Sequence, residues 1–158
     1  MKTLIFDLDD TLLMSGTYKK YSDIVPDQKL INILYNLPNP KYLYTNGTHG
    51  HGIDGLEGLK LRNNRDFSDS HIYGRDSIPY MKPDFKSFNH VNNSIFYDHN
   101  DYNHRIFFDD LPNNLYAAHI MGWETVWIHR EANDNDKPYY VDHAYKNTVE
   151  ALQNIDLN

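Results

Sequence analysis

Two stretches of this chain pass from consecutive apolar residues straight into carboxylates: "TLIFDLDD" at residues 3–10 and "RIFFDD" at residues 105–110. Successive side chains of a strand point to opposite sides, so a strand that is apolar at every position has to be covered on both faces. Such strands belong inside a sheet with helices above and below it. The carboxylates then fall at strand ends. Like charges a few ångströms apart repel, so a cluster there must be solvated, neutralised by a cation, or used chemically.

The rest of the chain alternates strand and helix signals. A buried strand is expected over Lys2–Leu8, followed by loop through Pro26. Asp27 is placed to cap a helix with Leu30, Ile31, Leu34 and Leu37 on one face, which Pro38 and Pro40 end. "KYLYT" predicts the second strand, and Thr48 to Leu61 a helix in spite of its glycines. "SHIYG" predicts the third strand, and "KPDFKSFNHV" opens a helix with proline in its first turn. "RIFFDD" is the fourth strand, "PNNLYAAHIMG" a helix with proline at its start and glycine at its end, and "WETVWI" the fifth strand. In the tail, Tyr139 to Val141 reads as a short extended stretch, and Asp142 as the cap of a last helix with Tyr145, Val149, Leu152 and Ile155 on one face. The expected fold is α/β, a Rossmann-like parallel sheet of about five strands with helices on both faces. Ligands of such a sheet bind at the carboxyl ends of its strands.

Composition narrows the function classes. At 158 residues, with no repeat and no stretch that looks like a linker, residues 1–158 are expected to form one domain. The absence of cysteine excludes disulfides, thiolate zinc sites and cysteine nucleophiles. A net charge of −7 gives no global field for a polyanion, so nucleic acid is a disfavoured partner. No apolar run is long enough to span a bilayer, so the expectation is a soluble, cytoplasmic protein without a membrane partner.

Strand ends converge on one edge of such a sheet. Asp7 and Asp9 follow the first strand, Thr45 and Asn46 the second, and Asp109 and Asp110 the fourth, while Lys82 opens the helix after the third. In this the sequence resembles the haloacid dehalogenase-like hydrolase superfamily, most of whose members are magnesium-dependent phosphatases. The family's Asp-x-Asp-x-Thr motif matches Asp7, Asp9 and Thr11, its Ser/Thr motif Thr45 in "LYTNG", its lysine motif Lys82 in "KPD", and its acidic motif Asp109 and Asp110 in "FFDD". The four motifs are in order and cover nearly the whole chain. The flanks "FFDDLPNNLYAAHIMGWETVWI" and "KPDFKSF" are similar to the pyrimidine 5'-nucleotidase branch. Members commonly carry a cap over the site, inserted between the first two motifs or between the second and third. Both intervals here are largely taken by core strands and helices, so no cap domain is expected.

The resemblance implies a phosphoric monoester hydrolase, and the chemistry of such esters calls for the same residue types. Transfer needs an oxygen nucleophile, an acid for the leaving oxygen and positive charge around the phosphoryl group. Asp7 is expected to be the nucleophile, forming an aspartyl phosphate, and a magnesium ligand. Asp9 is expected to protonate the leaving oxygen, later to take a proton from water, and to offer its backbone carbonyl to the metal. Asp110 would complete the protein ligands of Mg2+, with Asp109 ligating or orienting beside it. Thr45, the Asn46 N–H and Lys82 would hold the phosphoryl oxygens. Relatives that cleave carbon–halogen bonds lack the acid at the Asp9 position, which favours a phosphatase. A capless, open site suits a phosphoprotein or polynucleotide end, or a small molecule closed in by a second copy of the chain.

Other residues carry competing readings. Asp10 is expected to be a solvated turn residue and Thr11 a local bond to the loop. Tyr18 to Tyr21, "YKKY", is either a solvated loop or an overhang of the site. His49 and His51 form a His-x-His pair near Thr45, with no carboxylate expected to be placed beside them, which points to structural or solvent-facing roles. "GHGIDG", Gly50 to Gly55, with Asp76 downstream, imitates a dinucleotide-binding turn but leaves the aspartate clusters unexplained. A phospho-accepting receiver domain uses similar residues in another order. A catalytically silent binding module on the same fold is the remaining alternative, against which the intact Asp9 argues.

Overall fold

The computed structural model describes residues 1–158. Six strands, β1 (Thr3–Phe6), β2 (Lys41–Tyr44), β3 (Ile72–Tyr73), β4 (Arg105–Asp109), β5 (Glu124–Ile128) and β6 (His143–Tyr145), form one parallel sheet in the order β3-β2-β1-β4-β5-β6. The order reverses between β1 and β4, the strands that run into the two aspartate clusters. That crevice is where open α/β sheets bind ligands.

Five helices cover the sheet: α1 (Gln28–Asn36), α2 (His49–Gly58), α3 (Phe85–Asp98), α4 (Pro112–Ile120) and α5 (Thr148–Asn154). The two-residue period of the strands sorts their side chains. Leu4, Phe6, Leu43, Ile106 and Phe108 face α1, α2 and α5 through Leu30, Leu34, Leu56, Ala151 and Leu152. Ile5, Tyr42, Tyr44 and Phe107 face α3 and α4 through Phe88, Val91, Ile95 and Leu115. The strand residues of both layers are almost wholly removed from water, as continuous apolar runs require.

Asp27 caps α1 as expected, its carboxylate accepting from the Lys29 and Leu30 N–H groups at 3.0 and 3.3 Å. Three expectations are corrected. Helix α3 starts at Phe85, with Pro83 ahead of the cap, because the Asp84 carboxylate accepts the Lys86 N–H at 2.9 Å. The sixth strand is His143–Tyr145 rather than Tyr139–Val141. Helix α5 is capped by Asn147, which accepts the Glu150 N–H at 2.8 Å, and not by Asp142. Asp142 instead accepts the Thr125 N–H at 2.8 Å beside the start of β5.

The glycines of "GHGIDG" lie inside α2 or on its surface, not in a turn before it. A Cβ on Gly55 would stand 2.9 Å from Leu8 Cδ2, and one on Gly52 3.0 Å from Leu43 Cδ2. They let the helix approach the sheet behind the first motif, which removes the dinucleotide-turn reading. Gly55→Val is therefore expected to overpack this contact and cost about 1–3 kcal/mol, read as a lower denaturant midpoint at unchanged slope.

Neither interval between the site motifs holds an inserted domain. From Asp9 to Thr45 the chain forms a loop with one short 3-10 turn (Tyr21–Asp23), α1 and β2, and from Thr45 to Lys82 it forms α2, a second 3-10 turn and β3. No helix is long and apolar enough to cross a membrane.

Candidate active site

Strands β1 and β4 run in register, Phe6 opposite Phe108, and the Asp7 N–H donates to the Phe108 carbonyl at 2.9 Å. Asp7 and Asp109 therefore leave the sheet side by side. Asp7, Asp109 and Asp110 each offer one carboxylate oxygen to a group whose members all lie within 4.8 Å of one another.

Lys82 reaches the pair from the segment before α3. Its ammonium donates to Asp7 Oδ1 at 3.0 Å, Asp109 Oδ2 at 2.9 Å and the Tyr44 carbonyl at 2.8 Å, which uses its three N–H bonds. It also lies 4.9 Å from the Tyr44 ring centroid and 5.3 Å from that of Phe107. Burial works against its charge, but the two carboxylates outweigh it and raise its pKa, so it stays an ammonium. Burial pushes the Asp7 carboxyl well above the usual carboxylate range; Lys82 opposes this and Asp109 adds to it. Asp110 is pushed up to about 6, first by burial and then by the charge of Asp109. Three carboxylates against one ammonium leave an excess of negative charge among hard oxygen donors. That donor set fits a divalent cation such as Mg2+.

Further side chains fix these groups. Thr11 Oγ1 donates to Asp7 Oδ2 at 3.3 Å, so its local bond is to the carboxylate of Asp7 itself. Asp109, fully buried, accepts the Leu111 N–H at 2.8 Å and Asn114 Nδ2 at 3.1 Å. Asn114 is a site residue that sequence reasoning missed, and the only signal for it was a polar side chain one helical turn after the acidic motif. Asn46 clamps the backbone of Lys82, with Oδ1 accepting its N–H at 2.9 Å and Nδ2 donating to its carbonyl at 3.0 Å. The Asn46 and Asp9 backbone N–H groups make no hydrogen bond within the protein. Thr45 Oγ1 accepts the Gly47 N–H at 3.0 Å, which leaves its hydroxyl proton free to donate.

A cleft of about 240 Å³ gathers Asp7, Asp9, Thr45, Asn46, Lys82 and Asp110 along its walls. A larger cleft of about 350 Å³ beside α1 and α5 is mostly apolar; of its polar members, Asp27 and Asn147 are engaged as helix caps, and the Thr11, Thr17 and Thr148 hydroxyls donate to Asp7 and to the Met14 and Thr11 carbonyls. Asp10 sits outside the acidic group in a left-handed turn, φ 63°, with its carboxylate held by Ser15 Oγ at 2.7 Å. One expectation is overturned. His51 does have a carboxylate beside it, its Nε2 lying 3.0 Å from Asp9 Oδ2 and 3.1 Å from Oδ1. His49, in contrast, has a structural place, its ring nitrogen 2.9 Å from the Asp69 carbonyl.

No family model matches the chain, and no curated protein matches it in sequence. Solved structures do match in three dimensions. The chain resembles a haloacid dehalogenase-like family hydrolase from Streptococcus pneumoniae at 15% identity and a TM-score of 0.65, over 97% of each chain. It resembles the HAD-hydrolase YfnB from Bacillus subtilis, bound to magnesium, at 18% identity and 0.64, over 82% of this chain and 56% of that one. It also resembles the L-2-haloacid dehalogenase from Xanthobacter autotrophicus, with chloropropionic acid covalently bound, at 13% identity and 0.63, over 84% and 62%. The fold is that of the haloacid dehalogenase-like hydrolases. The chain spans less than two thirds of the length of the dehalogenases it matches and nearly all of the pneumococcal hydrolase.

Proposed function

We propose that residues 1–158 are a single haloacid dehalogenase-like domain that hydrolyses phosphate monoesters with magnesium, through an aspartyl phosphate on Asp7. The observation that carries this is the group Asp7, Asp109 and Asp110 at the reversal of strand order, with Lys82 bridging the first two and Asp9 lining the same cleft. Asp7, Asp110 and the Asp9 carbonyl would hold Mg2+, with Asp109 fixed beside them by Lys82, Leu111 and Asn114. The bound cation supplies positive charge that lets a carboxylate approach a phosphate dianion.

This chain's own residues carry the steps. An Asp7 oxygen attacks phosphorus and the bond to the leaving oxygen breaks, while Asp9 gives that oxygen a proton. Water then attacks the phosphoryl group, Asp9 takes its proton, and phosphate leaves with Asp7 regenerated. The Thr45 hydroxyl and the Asn46 N–H are donors for the phosphoryl oxygens. Lys82 holds Asp7 in place and offsets the charge that gathers there. The absence of an inserted domain over the cleft favours a substrate larger than a mononucleotide, such as a phosphoprotein, because remote contacts then supply the binding that a lid would.

Hydrolysis of an aryl phosphate should require added magnesium and stop in excess chelator, returning when magnesium is restored. Full activity in chelator, or no phosphate release from any aryl or alkyl monoester, would contradict the proposal.

A further inference from the structure

Asp9 is bound by a side chain to which the chemistry above gives no part. His51 stands in the first turn of α2, its backbone N–H accepted by Thr48 Oγ1 at 3.0 Å. Its Nε2 faces both oxygens of Asp9 at 3.0 and 3.1 Å, and its Nδ1 lies 2.7 Å from the Tyr21 hydroxyl. Three parts of the chain meet here: the loop after β1, the 3-10 turn Tyr21–Asp23 and the helix after β2. Gly47 leaves the space the ring needs, since a Cβ there would stand 2.7 Å from His51 Cδ2.

When Asp9 is ionised, as it must be to take the proton of water, it only accepts, so His51 Nε2 carries a hydrogen; in the neutral ring Nδ1 is then an acceptor, and the Tyr21 hydroxyl donates to it. The Asp9 side chain is 42% exposed, and a short exposed carboxylate otherwise rotates freely. One Nε2–H shared between its oxygens holds it in one orientation, and each oxygen keeps a further lone pair for a proton.

We propose that His51 is a positioning residue that aims the Asp9 carboxylate at the leaving oxygen, with Tyr21 fixing the imidazole in the tautomer this requires. The inference rests on the phosphatase reading and adds to it a way in which the loop after β1 acts on the reaction.

The test compares one alkyl and one aryl phosphate in four proteins. His51→Ala should lower kcat/KM on the alkyl ester, which reports the steps through phosphorylation, roughly ten- to a hundredfold, the size expected when a catalytic group is misaimed. The aryl ester, whose phenolate departs with little help from an acid, should lose at most about threefold. His51→Gln, whose amide reaches the Nε2 position, should restore most of the alkyl rate. Tyr21→Phe keeps the ring packing and should lose alkyl rate selectively. The tautomer is read without turnover from long-range 1H–15N spectra, where His51 should carry its hydrogen on Nε2, and Tyr21→Phe should shift Nδ1. A hydrogen on Nδ1, equal losses on the two esters, or no rescue by Gln would overturn the positioning role. A wild type inactive on both esters would instead overturn the phosphatase reading, and with it the use of His51 in that chemistry.

Discussion

Asp7→Asn is expected to abolish hydrolysis of every phosphate monoester, by roughly a thousandfold or more, because it removes the attacking oxygen while keeping the shape of the side chain. Leaving-group quality should not rescue it. Asp9→Asn should behave differently. It keeps the nucleophile, and through the backbone carbonyl much of the metal site, so the first step on an aryl ester should survive better than on an alkyl ester. kcat/KM on both esters, which reports the steps through phosphorylation and not the later hydrolysis, compared between the two variants, checks this. A similar residual rate in Asp7→Asn and Asp9→Asn on the aryl ester would contradict the division of roles.

Lys82→Met is expected to have the largest effect on stability. The ammonium is almost fully buried and is the only side-chain cation bridging Asp7 and Asp109, whose carboxylates are themselves buried. Removing one partner of such a pair leaves uncompensated charge, at a cost of about 3–5 kcal/mol. In a chain of this size that corresponds to a fall in Tm of roughly 10 °C, measured in chelator. Magnesium should recover part of the loss by binding the carboxylates that the lysine no longer neutralises. A Tm within a degree or two of the wild type in chelator would show that Lys82 is not what balances the acidic group.

Much of this arrangement was legible in the sequence because burial on both faces forces a run of apolar residues. Strands β1, β2, β4 and β5 stood where such runs predict them, and the polar residues that follow fell at the sheet edge without further assumption. What was missed depends on partners distant in sequence. The short β6 has polar flanks and reads as the start of the last helix until Val126 and Ile128 stand beside it. Asp142 looks like a helix cap, but Thr125, 17 residues away, takes its carboxylate and leaves the cap to Asn147. The helix α2 could be expected in spite of its glycines, yet the reason for them is Leu43 of β2 and Leu8, just past β1, pressing on it. The carboxylate beside His51 was missed for the same cause. Asp9 is 42 positions away, and only the fold brings them together. Lys82 was read as a phosphate ligand. What its three contacts show is a hold on Asp7, Asp109 and the Tyr44 carbonyl that no spacing in the sequence conveys.

The central claim is that Asp7 takes the phosphoryl group covalently, and the most direct measurement of it is the intact mass of the Asp9→Asn protein, quenched rapidly in acid after mixing with an aryl phosphate and magnesium. Loss of the base for the hydrolytic water should let the intermediate accumulate, so a species heavier by one phosphoryl group is predicted, mapping to the peptide that contains Asp7, with none in Asp7→Asn under the same conditions. An adduct in the Asp7→Asn protein, or turnover by the wild type with no adduct in Asp9→Asn at any time, would contradict the account.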